Sequence, residues 1–224
     1  MSHYSVAIFH TENQDIKDLL APYDENLKVD PYIRYTKAEA IDYVRKNFVG
    51  YGVGDGKSDE ECWDFLAREY DYKIDYNGNI YSTYNPNSKW DYYSLGGWCI
   101  GEYIEDDDVK VKDIVFLQNK EEYDDAIEFW NENIIGDGGN NFYKKEYYIN
   151  RYKTAEKYAE YCSSFHTYAV ITPDGKWHSP GEVGWFATSS ESDEEYTDWW
   201  EHYKERFIDA ADPEWILTIV DCHI

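Results

Sequence analysis

The chain has 224 residues, 42% hydrophobic and 19% aromatic, enough apolar material for a packed core and too aromatic for wholesale disorder. Asp plus Glu number 46 against 21 Lys plus Arg, and the net charge of −25 repels nucleic acid and anionic membrane while attracting basic proteins. No apolar run is long enough to span a bilayer, no secretory segment is read at the N-terminus, and Cys62, Cys99, Cys162 and Cys222 form no CxxC pair, so no metal or cofactor is signalled and a cytoplasmic protein with reduced thiols is expected.

The first predicted element is a strand, "HYSVAIFH". A short helix that Pro22 stops follows it. "TKAEAIDYVRKNF" opens with a capping box, Thr36 to Glu39, and sets Ala40, Ile41, Val44 and Phe48 on one stripe. "GYGVGDG" lacks both the GxGxxG spacing and a GK[ST] ending, so it reads as a connector and not as a phosphate loop. Ser58 and Glu61 cap a second helix. Asn77-Gly78 marks a hairpin, and "DIVFLQ" reads as a strand. Asn119 and Glu122 cap a helix with the stripe Tyr123, Ile127, Trp130 and Ile134, and a tyrosine-rich helix is expected from about Asn141 to Cys162.

The last third is the plainest. "HTYAVITPDGKWHSPG" is a hairpin in which Pro173 presets the turn and Gly175 can take a positive φ. Ser192 and Glu195 cap a helix that places Tyr196, Trp199, Trp200, Tyr203 and Phe207 on one face, and "EWILTIVDCHI" is a closing strand. The order predicts a single α+β domain, 1–224. Its ferredoxin-like βαββαβ core spans 1–25 and 164–224, with a long, mostly helical insertion at about 26–163.

Four stretches, "LLAPYDENL", "NPNSKWDYYSLGGW", "PGEVGWFATSSE" and "TIVDCHI", resemble a family of small proteins encoded by bacteriophages and prophages. The resemblance covers most of the chain and brings no assigned activity with it. It implies a phage-type protein acting in the cytoplasm of a bacterial host. Members of that family read G-G-R-W where this chain has Gly96, Gly97 and Trp98. Any anion-binding role of that arginine is therefore absent or displaced here.

Two constellations carry candidate chemistry. In "NPNSKWDYYSLGGW" the turn at Pro86 is followed by Lys89 and Asp91 on one side and Trp90 on the other. It reads as a corner locked by a buried tryptophan. The alternative is a ligand corner, with Lys89 and Asp91 as polar contacts and Tyr92, Tyr93 or Trp98 as a stacking face. At the C-terminus, Asp221 and His223 share a strand face and Cys222 takes the other. With His10 nearby they would make an acid–base or metal pair, and without it they are polar residues at a strand end.

Two functions are consistent with these features. The first is a phage-type accessory protein that inhibits a basic, nucleic-acid-binding host factor such as a restriction or CRISPR nuclease. It would not bind nucleic acid or membrane itself. It would use the carboxylate runs Glu105, Asp106, Asp107 and Asp108, and Glu191, Asp193, Glu194 and Glu195, with tyrosine and tryptophan as anchors. Those runs equally suit a solvated loop and a helix cap. The second is a small enzyme or binding protein with one pocket gathering Lys89, Asp91, His10 and His223.

Overall fold

The computed structural model describes residues 3–48, 56–69, 73–117, 119–139, 141–182 and 189–224. In chain order its elements are β1 (His3–His10), α1 (Ile16–Leu20), β2 (Lys28–Tyr35), α2 (Lys37–Asn47), α3 (Asp59–Glu69), β3 (Lys73–Ile74) and β4 (Ile80–Tyr84). They continue with β5 (Tyr92–Leu95), β6 (Val109–Lys110), α4 (Lys120–Phe129), α5 (Lys145–Tyr152) and α6 (Ala155–Ser163). The chain closes with β7 (Ala169–Ile171), β8 (Trp177–His178), α7 (Asp193–Glu201) and β9 (Ile216–His223). The protein is α+β. It divides into two compact units, Met1–Asp24 with Asn87–Ile224, and Glu25–Pro86. Most of "GYGVGDG", residues 50–55, lies outside the described residues.

The larger unit is organised by β9. Its eight residues pair antiparallel with all of β1, from His3 opposite His223 to His10 opposite Ile216. On its other side β5 pairs with Val220–His223 and β6 with Ile216 and Leu217, so two short strands share one edge. The order is β5–β9–β1–β7–β8. The two terminal strands are neighbours, as the element order predicts.

The sheet departs from the ferredoxin-like arrangement in one respect. A split βαβ unit keeps its parallel strands apart. Here β1 and β7 are direct parallel partners, Val6 opposite Ala169 through Ile8 opposite Ile171, and β8 lies outside them. A two-residue β8 can pair with little of an eight-residue β1, so it stays at the edge.

Alternation along the central strands supplies both faces. Val6, Ile8, Val220 and Cys222 pack with Leu19, Leu20 and Trp90 on one side. Ala7, Phe9, Leu217 and Ile219 meet Trp199, Tyr203 and Ile208 on the other. Trp199 Nε1 donates to Thr167 O at 2.9 Å, and the Tyr203 hydroxyl sits 2.7 Å from Thr167 Oγ1, so neither ring buries its polar tip unpaired. Trp200 leaves α7 toward a separate aromatic cluster with Trp130, Tyr148 and Tyr152.

The insertion is not mostly helical. It supplies β5 and β6 to the main sheet and forms a second, antiparallel sheet β2–β4–β3 in the smaller unit. There α2 and α3 bury Ala40, Val44, Cys62 and Leu66 against Ile80. β2 escapes a sequence reading because Pro31 interrupts it, and the ladder shifts register between Lys28 and Tyr32 to pass the proline. "DIVFLQ" is not a strand and makes one isolated bridge, Phe116 to Ile104. The tyrosine-rich helix is two helices. They break at Lys153, whose φ is 67°, and Thr154 caps the second by accepting from Lys157 N.

Every capping pair read from the sequence is formed. The clearest is at α7, where Ser192 Oγ accepts from Glu195 N at 3.2 Å and the Glu195 carboxylate accepts from Ser192 N at 2.7 Å. Ser192→Ala is expected to cost about 1 kcal/mol of stability. A denaturant midpoint unchanged from the parent would show that the box does not hold the helix start.

Candidate functional site

The corner at 85–98 is anchored by Trp90. Its indole is 7% exposed, sits among Val6, Leu19, Leu20 and Cys222, and donates from Nε1 to Leu20 O at 3.3 Å. Tyr93 meets it edge-on, with centroids 5.1 Å apart. Lys89 turns the other way, as its alternation with Trp90 requires. Its ammonium pairs with the Glu182 carboxylate in a cleft walled by Trp177, His178 and Trp199. It therefore already has an anion and presents no open cation. Tyr92 and Trp98 are 62% and 54% exposed.

Asp91 leads to the C-terminal constellation. His223 Nδ1 lies 2.6 Å from Asp91 Oδ1, and His3 Nδ1 lies 2.9 Å from Asp221 Oδ2. The two imidazoles meet edge to face at 5.1 Å. Each carboxylate can only accept, so each Nδ1 carries the proton. His223 Nε2 is buried with no partner, out of reach of a substrate. A general base needs access as well as a lone pair, so the couple orients the strand end without offering a reactive atom.

His10 is not part of this group. The antiparallel register puts it opposite Ile216, seven residues along β9 from His223 and about 23 Å away at the usual strand rise. It is buried, and its Nε2 lies 3.0 Å from Thr218 Oγ1, which in turn lies 3.4 Å from Asp108 Oδ1. His3 is the partner that sequence reasoning missed. Antiparallel pairing of two terminal strands sets the first residue of one beside the last of the other, and that signal was already in the element order.

The two carboxylate runs meet different fates. Glu195 is spent in the α7 cap, Asp193 faces Arg151 at 3.4 Å, and Glu191 accepts the Tyr168 hydroxyl at 3.1 Å. Among the described residues, none of Glu105, Asp106, Asp107 and Asp108 is paired with Lys or Arg. Asp107 and Asp108 line an open cleft of about 830 Å³ with His10, Glu12, Asp15 and Leu95. Burial there pushes the Asp107 carboxyl up, a hydrogen bond from the Ile219 backbone opposes it, and the neighbouring Asp108 and Asp106 push the same way as burial. Because β6 follows β5 along β9, these carboxylates continue the line of Tyr92 and Leu95 on one sheet edge.

A separate pocket of about 370 Å³ opens beside His3 and Ser5. Its walls are aromatic, its one acidic residue is Glu122, and neither Lys nor Arg lines it. His166 stands in this wall. Its Nδ1 lies 3.0 Å from Ser164 O, and a carbonyl only accepts, so Nδ1 holds the proton and Nε2 keeps its lone pair. Burial pushes the His166 imidazolium down to about 4.

Trp90→Ala is expected to cost roughly 3–5 kcal/mol and Lys89→Ala less than about 1 kcal/mol. A tryptophan variant as stable as the parent in denaturant would refute the anchor. For His166, the folded value lies below the ordinary 6.5, so between the two the unfolded chain binds more protons. Stability is therefore expected to fall as pH drops from 6.5 to 4, by of the order of 3 kcal/mol in full. Burial lowers His178 in the same direction. His166→Asn, which keeps a donor for Ser164 O, should flatten that slope in denaturant midpoints taken across the range, and an unaltered slope would contradict the assignment.

Comparison with protein-family models, with curated proteins and with solved structures finds no match to this chain.

Proposed function

We propose that this is a phage-type accessory protein that binds a basic, nucleic-acid-binding factor of a bacterial host and blocks it. A nuclease of a restriction or CRISPR system fits that description. The observation that carries this reading is the β5–β6 edge. Exposed Leu95 lines one cleft with Asp107 and Asp108, exposed Tyr92 and Trp98 lie at the start of β5 and just beyond it on the same stretch of chain, and the run Glu105–Asp108 has no Lys or Arg partner among the described residues. Aromatic anchors beside uncompensated carboxylates suit a positively charged, partly apolar partner. The two edge strands have four and two residues, and their carboxylates discourage pairing with another strand. Side-chain contact is then the mode of recognition that fits. The run at 191–195 is largely engaged within the protein and is left out of the surface.

A single catalytic pocket is not proposed. Lys89 and His10 line different clefts, and His223 lines neither.

The test uses the tagged full chain and a partner captured from host lysate. Exposed carboxylates act over about 30 Å at 0.01 M salt and about 8 Å at 0.15 M. Association is expected to slow about tenfold or more over that range, with dissociation changing less. Nucleic acid should compete for the partner. Replacing Glu105 with Gln and Asp106, Asp107 and Asp108 with Asn should weaken binding, whereas Glu191→Gln with Glu194→Gln should not. Association indifferent to salt, to DNA and to the first set of changes would overturn the reading.

A further inference from the structure

We infer that the aromatic pocket beside His3 is the seat for one organic cation, the ammonium or guanidinium head of a basic side chain presented by the partner. The inference rests on the binding reading above and adds the chemistry of a second, concave contact.

Four observations lead there. First, the walls are built before any ligand arrives. The Tyr103 hydroxyl donates to Cys162 O at 2.6 Å, which fixes that ring, and Trp98 stands against it at 86° with centroids 5.3 Å apart. Elsewhere in the lining the Tyr161 and Tyr196 hydroxyls are 2.9 Å apart and hold each other. A perpendicular, immobilised pair such as Trp98 and Tyr103 is an arrangement by which aromatic side chains border a cation, each ring offering part of its negative face. Second, the volume of about 370 Å³ lies at the small end of ligand pockets. It admits a side-chain head and its methylenes, not a folded element.

Third, Glu122 is the one carboxylate in a lining that has no ammonium or guanidinium, its other polar groups including hydroxyls and the imidazoles of His3 and His166. Glu122 projects from the first turn of α4, and its carboxylate has no Lys or Arg partner among the described residues. It is close enough to raise the proton affinities of Tyr103 and Cys162, both already raised chiefly by burial. His166 adds an accepting Nε2 and, being neutral near pH 7, no positive charge. Arg151 already covers a face of Tyr196 from outside the lining, with its Cζ 4.0 Å from the ring centroid, so the faces of Trp98 and Tyr103 beside Glu122 are the ones that select a positively charged donor. Fourth, the other occupants fit worse. A nucleotide would bring phosphates to a chain of net charge −25, into a pocket with no Lys or Arg in its lining. A neutral apolar ligand would strip water from Glu122 and return nothing to it. Trp98 is at once a wall of the pocket and an exposed residue just beyond β5, so one partner residue can enter here while its surroundings meet the acidic edge.

The test needs no partner. Nα-acetyl-arginine amide and Nα-acetyl-lysine amide are titrated into the full chain by ligand-observed NMR and calorimetry. Nα-acetyl-citrulline amide and Nα-acetyl-norleucine amide serve as uncharged counterparts of the same shape, and uridine as a neutral base. The cationic amides are expected to bind at least about tenfold more tightly than the uncharged ones. Glu122→Gln should remove most of that preference, and Trp98→Ala should weaken every probe. Both side chains are exposed, so both variants should fold, which their thermal transitions verify. Equal binding of arginine and citrulline amides, preference for uridine, no saturable binding at millimolar concentration, or no effect of Glu122→Gln would each overturn the inference. Loss of partner capture with amide binding intact would count against the acidic edge. Partner capture without amide binding would count against the pocket alone.

Discussion

Antiparallel pairing of β1 with β9 across eight residues is the constraint on which the larger unit depends. A strand with period two and a fixed register leaves no freedom in which side chain faces where. Val6, Ile8, Val220 and Cys222 must share one face, and Ala7, Phe9, Leu217 and Ile219 the other, so α1 with Trp90 and α7 each receive an apolar floor. A slip of one residue would turn Asp221 and His223 inward and expose Cys222. The two Asp–His couples resist that slip. Each ties β9 at its last turn of pleat to a neighbour, one to β1 through His3 and one to the chain just before β5 through Asp91. The burial of His223 Nε2 follows from its place between two strands, and this is why that histidine serves architecture better than catalysis.

The same register builds the β5–β6 edge. β9 has its full-length partner on one side only. On the other side β5 and β6 divide its length, and the stretch between them, 96–108, buries Cys99, Tyr103 and Ile104 while it carries exposed Trp98 and the carboxylate run. Lys and Arg are few, and those present mostly fold back onto neighbouring carboxylates, as Lys110 and Lys112 do with Glu214. Such exposed pairs add little to stability. They do commit those positive charges to other carboxylates, so the run at Glu105–Asp108 keeps its field without a Lys or Arg partner among the described residues. The overall charge of −25 would destabilise a compact chain by self-repulsion. The double-faced core and the aromatic cluster around Trp130, Tyr148, Tyr152 and Trp200 offset that repulsion with apolar burial.

What was legible in the sequence follows the range of the forces involved. Caps at Thr36, Ser58, Asn119 and Ser192 depend on three-residue spacings, and all were readable. The apolar stripe of α7 and the burial of Trp90 were equally local in pattern. The strand β2 was hidden by Pro31, and the break at Lys153 by an otherwise continuous helical composition, since nothing but the cap at Thr154 marks it. The pairing of β1 with β9 was foreseen from element order, yet its register was not followed through, so His10 was set beside His223 where His3 belongs. The ranking of the two acidic runs could not be read from charge alone. Glu191–Glu195 and Glu105–Asp108 look alike until Arg151, Tyr168 and the helix cap engage the first, while the second has no Lys or Arg partner among the described residues. The aromatic pocket draws residues from β1, the loop after β5, α4, α6 and α7, and no local pattern announces it.

Amide hydrogen exchange of the protein with and without its captured partner tests the central claim most directly, because it reports the sheet and the contact surface together. In the free protein the amides shared by β1 and β9 should exchange slowest, since that ladder is buried on both faces. On binding, new protection should fall on 92–110 and on the walls of the pocket beside His3, leaving 174–182 and 191–194 unchanged. Protection confined to the cleft around Lys89, or fast exchange along β9 in the free protein, would contradict the account.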